Sequence, residues 1–309
     1  MNLLDTIRSA LRSLRANKLR SALTALGIII GVAAVITMLA VGEGAKVKVA
    51  EQLKSLGSNL MIVLPGAVTS SGVRLGSGSR NTLTENDAEA IANELPGVLA
   101  SAPAMRGTGQ LVNGNLNWST QIYGITPDYL SAREWIVARG RAFGETDVRS
   151  SAKVALVGQT VADMLFGGTD PTGQIIRVKY VPFTIVGLLA PKGQSYSGQD
   201  QDDVVLIPLT TARGRILGQA QGRLRSVGHI SVKMMDGVDM TTAESQVTAL
   251  LRQRHRLQPD QDDDFNIRNL SEIVAAEQAA SKVLSTLLAA VASVSLLVGG
   301  IGIMNIMLV

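Results

Sequence analysis

Two long uncharged runs lie near the ends of the chain, and strand-like and helix-like segments alternate between them. Residues 21–42 and 283–309 contain no Asp, Glu, Lys or Arg. A helix rises about 1.5 Å per residue and the hydrocarbon core is roughly 30 Å thick, so each run is long enough to cross a bilayer. A cleaved secretory signal is the alternative for the first run, but its apolar region spans only about 7–15 residues. The pattern therefore predicts two transmembrane helices.

Basic residues before the first run predict its orientation. Five of them occur within the first twenty residues: Arg8, Arg12, Arg15, Lys18 and Arg20. The positive-inside bias then puts the N-terminus in the cytoplasm and residues 43–282 outside the inner membrane. Leu4, Ile7, Leu11 and Leu14 recur at helical spacing. Segment 1–20 is therefore predicted to be an amphipathic helix on the inner surface, with a plain charge cluster as the alternative.

Small residues within the two runs predict helix–helix contacts. Gly27 and Gly31 are four positions apart in the first run, as are Ser295 and Gly299 in the second. This spacing lets helix backbones approach closely in lipid, where packing drives association. Ordinary lipid-facing small residues are the alternative interpretation.

Both runs are predicted to continue outward as helical stalks. After residue 42, apolar residues that include Val49 and Leu53 keep helical spacing up to a glycine stop at Gly57. Before residue 283, Asn269 can cap a helix that passes through Ala279 into the second run. We assign Val49, Leu53 and Ala279 to coupling through these stalks, because a continuous helix is stiff along its axis.

Two strand–helix–strand units are predicted between the stalks. The first covers 59–105, and Thr84 can cap its helix, which Pro96-Gly97 ends. The second covers 229–270 and has the same order of strand, helix and strand. The stretch between them, 106–228, is predicted to be mainly β-structure. The expected fold class is an α+β membrane protein. Two transmembrane helices flank a large outer domain, 43–282, in which an α/β part of two βαβ units (43–105 and 229–282) is interrupted by a β-rich part (106–228).

Composition excludes several classes of function. The chain has no cysteine, so a disulfide framework, a thiolate nucleophile and a cysteine metal site are excluded. The net charge of +4 is mild, and much of the excess lies in the leader, so nucleic acid is not an expected partner. The sequence contains no G-x-x-x-x-G-K-[ST] motif for nucleotide phosphates. We therefore expect no enzyme activity in this chain.

The candidate chemical residues favour structural roles. His229 begins a predicted strand and His255 lies among arginines at a helix end, neither at metal-ligand spacing, so both are interpreted as structural or solvated. Asp260, Asp262 and Asp264 alternate as in a calcium loop. The glycine and the bidentate glutamate of an EF-hand are missing there, so a solvated loop is favoured. No metal and no cofactor are predicted.

Three longer segments carry a family resemblance. They read "ANKLRSALTALGIIIGVAAVITMLAVGEGAKVKV", "KVALVGQTVADMLFGGTDPTGQIIRVKYVPFTIVGLL" and "LLVGGIGIMNIMLV". Together they resemble MacB-type ABC transporter permeases of the macrolide-exporter/FtsX superfamily. The resemblance covers nearly the whole chain and implies a porter-like α/β part interrupted by a β-rich part. One departure is that "RVKYVPF" lacks the Asn-Gly or Asp-Gly expected at a tight hairpin turn.

The resemblance also implies partners and a location. It implies a permease subunit of the bacterial inner membrane that works as a homodimer with a cytoplasmic ABC ATPase, expected here as a separate subunit because no ATPase domain precedes Met1. The chain stops within the second predicted span, so further spans are expected beyond it. Membrane lipid is an expected contact, and a periplasmic adaptor and an outer-membrane channel are further candidates. The expected function couples ATP hydrolysis to motion of the outer domain, for export of small molecules, peptides or lipoproteins. An extracytoplasmic sensor between two transmembrane helices is the alternative.

Overall fold

The computed structural model describes most of the chain from residue 82 onward and parts of what precedes it. The described residues are 18, 26, 29, 31–33, 35–38, 40–44, 59–66, 69–70, 73–74, 82–195, 198–218 and 225–308. The chain divides into two compact units, one formed by Met1–Glu51 with Ala275–Val309 and the other by Gln52–Val274.

The elements follow one another in this order. The first are β1 (Leu60–Pro65), β2 (Thr69–Ser70), β3 (Val73–Arg74), α1 (Glu85–Glu94), β4 (Val98–Asn113) and β5 (Leu116–Ile125). Next come α2 (Asp128–Ala132), β6 (Val137–Gly140), α3 (Glu145–Arg149), β7 (Val154–Val157), α4 (Gln159–Phe166), β8 (Ile175–Val178) and β9 (Val181–Leu189). The last are β10 (Val204–Pro208), α5 (Leu209–Thr211), the π-turn Ala212–Ile216, β11 (His229–Met234), α6 (Met240–His255), β12 (Phe265–Asn269) and α7 (Leu270–Leu308).

Side-chain caps explain where the two longer helices of the second unit begin. The Thr84 side chain accepts a hydrogen bond from the Asp87 N–H, and the Asp87 carboxylate accepts one from the Thr84 N–H. This reciprocal capping box satisfies two amides that have no partner within the helix. Asp239 caps α6 with its side chain alone, which accepts from the Thr242 N–H at 2.9 Å. The predicted cap at Thr84 is therefore confirmed.

The two predicted strand–helix–strand units form one four-stranded antiparallel sheet. The units are β1–α1–β4 and β11–α6–β12, and the strand order is β12-β1-β11-β4. Each unit is thus split by a strand of the other, as in ferredoxin-like folds. Helices α1 and α6 cover one face of this sheet, where Met61, Val63, Ile230 and Val232 are fully buried against them. We call this region the α/β part.

The stretch between the two units forms a closed ring of strands. Strand β4 continues beyond the α/β part, and its second half pairs with β5 on one side and β8 on the other. The ring runs β4-β5-β10-β7-β9-β8 and returns to β4. Its interior is filled by apolar side chains that include Leu111, Ile122, Phe183 and Ile185. We call this region the barrel; closure pairs strand edges that would otherwise be open.

A glycine allows the segment after β10 to pack tightly on the barrel. A Cβ atom added to Gly124 on β5 would come 2.2 Å from the Cβ of Ala212 in the π-turn. No side chain fits at that distance, so glycine is required where the two backbones approach. The π-turn is thereby held against β5, within reach of the α/β part.

The turn between β8 and β9 is tight although it lacks the expected turn residues. Strand pairing brings Val178 opposite Val181, which leaves Lys179 and Tyr180 as the turn. Their φ angles are +43° and +72°, in the left-handed region that favours Gly and Asn. The sequence left this turn type undefined, and the structure assigns a two-residue turn of non-glycine residues.

The other unit contains described helical residues near the N-terminus and most of α7. The Asn269 side chain accepts a hydrogen bond from the Ser271 N–H at 3.0 Å, which confirms Asn269 as the cap of this helix. The helix α7 then runs from Leu270 to Leu308 without interruption. No helix in the described portion is both long enough and apolar enough to cross a membrane. The predicted spans, which include many residues outside that portion, remain predictions.

Candidate functional site

A cluster of charged side chains joins α1, α6 and the start of β12. The His255 ring lies between two carboxylates, with Nδ1 2.6 Å from Asp264 Oδ1 and Nε2 3.4 Å from Asp87 Oδ2. The neighbouring Arg254 donates from Nε to Asp87 Oδ1 at 2.9 Å. The His255 side chain is only 3% exposed. We call these four residues the clasp, because they connect two helices and a strand.

Electrostatics keep the clasp charged at neutral pH. Burial acts to lower the pKa of His255, but hydrogen bonds to Asp264 and Asp87 outweigh it and raise this pKa to about 9. Burial acts to raise the pKa of Asp87, but hydrogen bonds from His255, Thr84 and Arg254 hold it well below its usual range. The imidazolium and the two carboxylates therefore form a network of charge-assisted hydrogen bonds.

The geometry of the clasp favours a structural role over a catalytic one. Asp87 Oδ2 also accepts from the N–H and the hydroxyl of Thr84, at 2.9 and 2.7 Å, so its lone pairs are engaged. Both nitrogens of His255 contact carboxylates, which leaves neither free to take a proton from a substrate. No group of three or more metal-ligating side chains occurs within the residues that the structure describes. The arrangement can hold secondary structure together, and we assign it that role.

The interpretation of the acidic loop changes for one of its residues. Asp264 was expected to be solvated, but its carboxylate binds His255, and its carbonyl accepts from the Gly66 N–H at 2.9 Å and from the Thr82 hydroxyl at 2.7 Å. Asp264 therefore fastens the ends of the segment between β1 and α1. The sequence could not indicate this, because Asp87 and Asp264 are distant from each other along the chain.

A second set of contacts joins the barrel to the α/β part. Arg213 of the π-turn forms an ion pair with Glu85 at the start of α1, and both side chains are mostly buried. Beside it, the Val227 N–H donates to the Leu83 carbonyl at 2.9 Å, and the Glu85 N–H donates to the Arg225 carbonyl at 3.1 Å. We call these contacts the junction. Together with the shared strand β4, they attach the barrel to the α/β part at two places.

His229 lies where β4 passes from one part to the other. Its ring contacts the rings of Tyr123 and Tyr129 edge-on, with centroids 6.3 and 6.1 Å away. Burial lowers the pKa of His229 to about 4, and the positive charges of Arg133 and Arg106 act in the same direction. His229 is therefore neutral near pH 7 and packs as an aromatic side chain, in agreement with the structural interpretation.

Some of the residues predicted for helix packing and stalk coupling lie on described helices, and others lie outside the described residues. Gly31 is helical, and an added Cβ atom there would meet nothing within 4 Å. Ser295 and Gly299 lie on the helix α7, and Ala279 is an exposed residue of the same helix. Gly27, Val49 and Leu53 lie outside the described residues. None of these residues is brought together with another by a described contact, and their predicted roles remain predictions.

Comparison with known proteins defines the class first by fold. The crystal structure of the periplasmic region of MacB from Actinobacillus actinomycetemcomitans matches with a TM-score of 0.59 and 25% identity, covering 75% of this chain and 98% of that chain. The extracellular domain of the noncanonic ABC-type transporter YknZ from Gram-positive bacteria shares the fold, with a TM-score of 0.52 and 16% identity over 68% of this chain and 100% of that chain. The second unit thus has the fold of an extracytoplasmic transporter domain.

Sequence comparison then identifies the family. The family described as MacB-like periplasmic core domain matches residues 21–250. The macrolide export ATP-binding/permease protein MacB of Azoarcus sp. is 44% identical over 308 residues, which cover 100% of this chain and 45% of that protein. The MacB protein of Rhodospirillum rubrum is 44% identical over 307 residues, 99% of this chain and 45% of that protein. The chain belongs to the MacB-like periplasmic core domain family, and it spans about half the length of these relatives.

Proposed function

We propose that this chain is the part of a MacB-type ABC transporter permease that presents an extracytoplasmic domain between two transmembrane helices. In this role it couples ATP hydrolysis in a partner subunit to motion of the outer domain, for export of small molecules, peptides or lipoproteins. The observation that carries the proposal is the match of the whole chain to macrolide export ATP-binding/permease proteins. The fold of the second unit supports it independently.

Nucleotide hydrolysis is assigned to a cytoplasmic ABC ATPase subunit. The sequence contains no Walker A motif, so it lacks the backbone loop and lysine that hold nucleotide phosphates. The printed names of the relatives include ATP binding, which supports a functional link to such a subunit. A transporter of this kind also needs a translocation path, which a second copy of the permease would complete. Gly27, Gly31, Ser295 and Gly299 are the proposed packing positions of its helices.

The proposed location is the inner membrane with the N-terminus in the cytoplasm. The five basic residues before residue 21 support this orientation through the positive-inside bias. Residues 43–282 are then extracytoplasmic, where a periplasmic adaptor and an outer-membrane channel can reach them.

The proposed mechanism uses stiff connections between the membrane and the outer domain. Strand β12 ends at Asn269 and α7 begins at Leu270, so no linker residue separates the sheet from the helix. The clasp fixes the start of β12 to α1 and α6, only five residues before that point. A tilt of α7 would therefore be delivered to the sheet, whereas a flexible linker would dissipate it.

The experiment breaks α7 on the membrane-proximal side of the sheet. Proline inside a helix removes a hydrogen bond, clashes with the preceding turn and costs about 3 kcal/mol, usually with a kink. We would introduce Ala279→Pro into the full-length permease, with its ATPase present, and use Ala279→Ser as the matched control. ATP hydrolysis should persist and export should fall in the proline variant alone, while urea unfolding of the outer domain is unchanged.

Two outcomes would contradict the proposal. Undiminished export in the Ala279→Pro variant, with the kink confirmed, would remove the case for coupling through this helix. Failure of the intact protein to stimulate or respond to any co-expressed ABC ATPase would favour the alternative, an extracytoplasmic sensor. A sensor also predicts a signalling segment, instead of further apolar spans, in the residues that follow Val309 in the complete gene product.

A further inference from the structure

The outer face of the barrel carries an exposed row of polar side chains on three adjacent strands. Inward residues such as Leu111, Ile122 and Val178 are fully buried, so the alternate residues of each strand point outward. The outward residues are Arg106, Thr108 and Gln110 on β4, Asn117 and Ser119 on β5, and Arg177 on β8. We call these six residues the polar strip. Strand register makes them neighbours: Gln110 lies opposite Ser119, and Val112 lies between Asn117 and Arg177.

The polar strip has positive charge that nothing in the described structure neutralises. Strands β4, β5, β8 and β9 contain no Asp or Glu. Arg106 donates to the Gln121 side chain at 3.0 Å and lies 5.8 Å from the Tyr123 ring centre, and both of these partners are neutral. Arg177 is exposed and forms no ion pair with any described residue. Two guanidinium groups on strands that carry no carboxylate, with no described ion-pair partner, are complementary to an anionic partner.

An exposed tyrosine is held at the end of the strip. Tyr180 is 95% exposed, and the backbone N–H of its neighbour Lys179 donates to the Gln110 carbonyl at 3.1 Å. The Lys179 ammonium group is engaged with the Ile216 carbonyl at 3.3 Å, which fixes the turn from the other side. Left-handed backbone costs roughly 1–2 kcal/mol for a non-glycine residue, and such conformations recur at functional sites. The turn therefore presents an exposed ring from a fixed backbone, at a cost that burial does not explain.

We propose that the polar strip and Tyr180 bind a polysaccharide that carries carboxylate groups. Amide and hydroxyl side chains match the hydroxyl groups of sugars, guanidinium groups match carboxylates in two-pronged hydrogen bonds, and a tyrosine ring offers a flat surface to a sugar ring. The OB-fold, a different small β-barrel, binds oligosaccharides on a strand face. A protein partner fits less well, because protein interfaces have an apolar centre. On this face, Val112 is the one described apolar residue that lies between residues of the polar strip.

The first test compares three soluble polymers by biolayer interferometry with the purified full chain. Polygalacturonate supplies sugar rings with carboxylates, dextran supplies uncharged sugar rings, and polyglutamate supplies carboxylates on a polypeptide. The proposal expects polygalacturonate to bind at least about tenfold more tightly than either of the other two. Equal binding of polyglutamate would show an acidic protein or simple charge attraction instead, and equal binding of dextran would show that the carboxylates are irrelevant. Either result overturns the proposal.

The second test assigns the binding to this face. Arg177→Ala and Tyr180→Ala should each weaken polygalacturonate binding about fivefold, because each removes one exposed contact that the fold does not use. Arg149→Ala, an exposed arginine on α3, is the matched control and should leave binding unchanged. Unaltered affinity in both strip variants, or an equal loss in the control, would contradict the assignment. Unchanged urea midpoints would exclude misfolding as the cause of any loss.

Discussion

The α/β part and the barrel share one strand yet are held together in different ways. In the α/β part the helices α1 and α6 cover one sheet face, and the buried charges of the clasp tie their ends to β12. In the barrel the six strands pair with one another around an apolar interior, and none of them contains an acidic residue. Helix ends leave N–H and C=O groups without backbone partners, and charged side chains can bind these groups and interact favourably with the helix dipole. In a closed ring of strands, the backbone groups at the strand edges pair with one another. The stability of the α/β part should therefore depend on pH, and the stability of the barrel should depend mainly on the packing of its interior.

The largest effect is expected from a large-to-small change inside the barrel. Phe183 is fully buried, and Phe183→Ala should destabilise the protein by about 4 kcal/mol through lost apolar burial and a remaining cavity. Urea unfolding followed by tryptophan fluorescence, to which Trp118 against the barrel interior contributes, measures the change. Tyr180→Phe, three positions away in the same hairpin but exposed, is the control and should shift the midpoint very little. A small effect of Phe183→Ala would mean that packing does not dominate in the barrel.

The next largest loss of stability is expected in the α/β part, on disruption of the clasp. His255→Gln removes the positive charge between Asp87 and Asp264 and should cost about 3 kcal/mol, because two carboxylates lose their shared partner. Equilibrium unfolding at pH 7 measures the loss. His229→Gln, a substitution of the other histidine, tests whether any buried histidine gives the same result. The loss of stability in the His229→Gln variant should come from altered packing and should not depend on Asp87.

The pH profile distinguishes the two histidines further. The pKa of His255 is raised to about 9 from an ordinary value near 6.5, so its stabilisation is fully present below about pH 6.5 and is lost as the pH rises through 9. The pKa of His229 is lowered to about 4, so its buried neutral ring destabilises the fold as the pH falls from 6.5 through 4. The free energy of unfolding should thus decline on both sides of neutrality. A profile of the His255→Gln variant that still declines between pH 7 and 9.5 would contradict the assignment.

The junction should give a smaller effect, because strand β4 still connects the two parts. Glu85→Gln and Arg213→Ala should each cost about 1–2 kcal/mol, since each leaves a mostly buried charged partner unpaired. A double-mutant cycle of the two changes should give a coupling energy of about 1 kcal/mol, measured by urea unfolding. Additive effects in the cycle would mean that the ion pair contributes nothing to the attachment of the barrel.

Local patterns in the sequence predicted the α/β part well and the barrel incompletely. Caps such as Thr84 and Asn269, together with alternating runs, identified both strand–helix–strand units because those signals act over a few residues. The β4–β5 hairpin was missed, although Gly114-Asn115, the two residues between Asn113 and Leu116, supplies a usual signal for a tight turn. Ring closure through β8 and β4 joins distant residues, and no local pattern encodes it.

The clasp was missed, and the type of the β8–β9 turn was left undefined, for different physical reasons. His255 and Asp87 are separated by 168 positions, so only the assembled fold brings them together. The turn at Lys179 and Tyr180 contradicts local preference, because left-handed backbone disfavours both side chains. Pairing of β8 with β4 and the contact of Lys179 with Ile216 override that preference. Long-range contacts thus decide both features.

The smallest expected effect tests whether that turn is strained. Tyr180→Gly should stabilise the protein by about 0.5–1 kcal/mol, because glycine adopts the left-handed conformation freely and the exposed ring contributes no packing. Tyr180→Ala is the matched control: it removes the same ring but keeps the unfavourable backbone, so its stability should stay near that of the unchanged protein. Equal stability of the two variants, measured by urea unfolding, would mean that the turn carries no strain. If glycine is the more stable and both variants bind polygalacturonate equally weakly, the tyrosine is retained at the expense of stability, as expected of a binding residue.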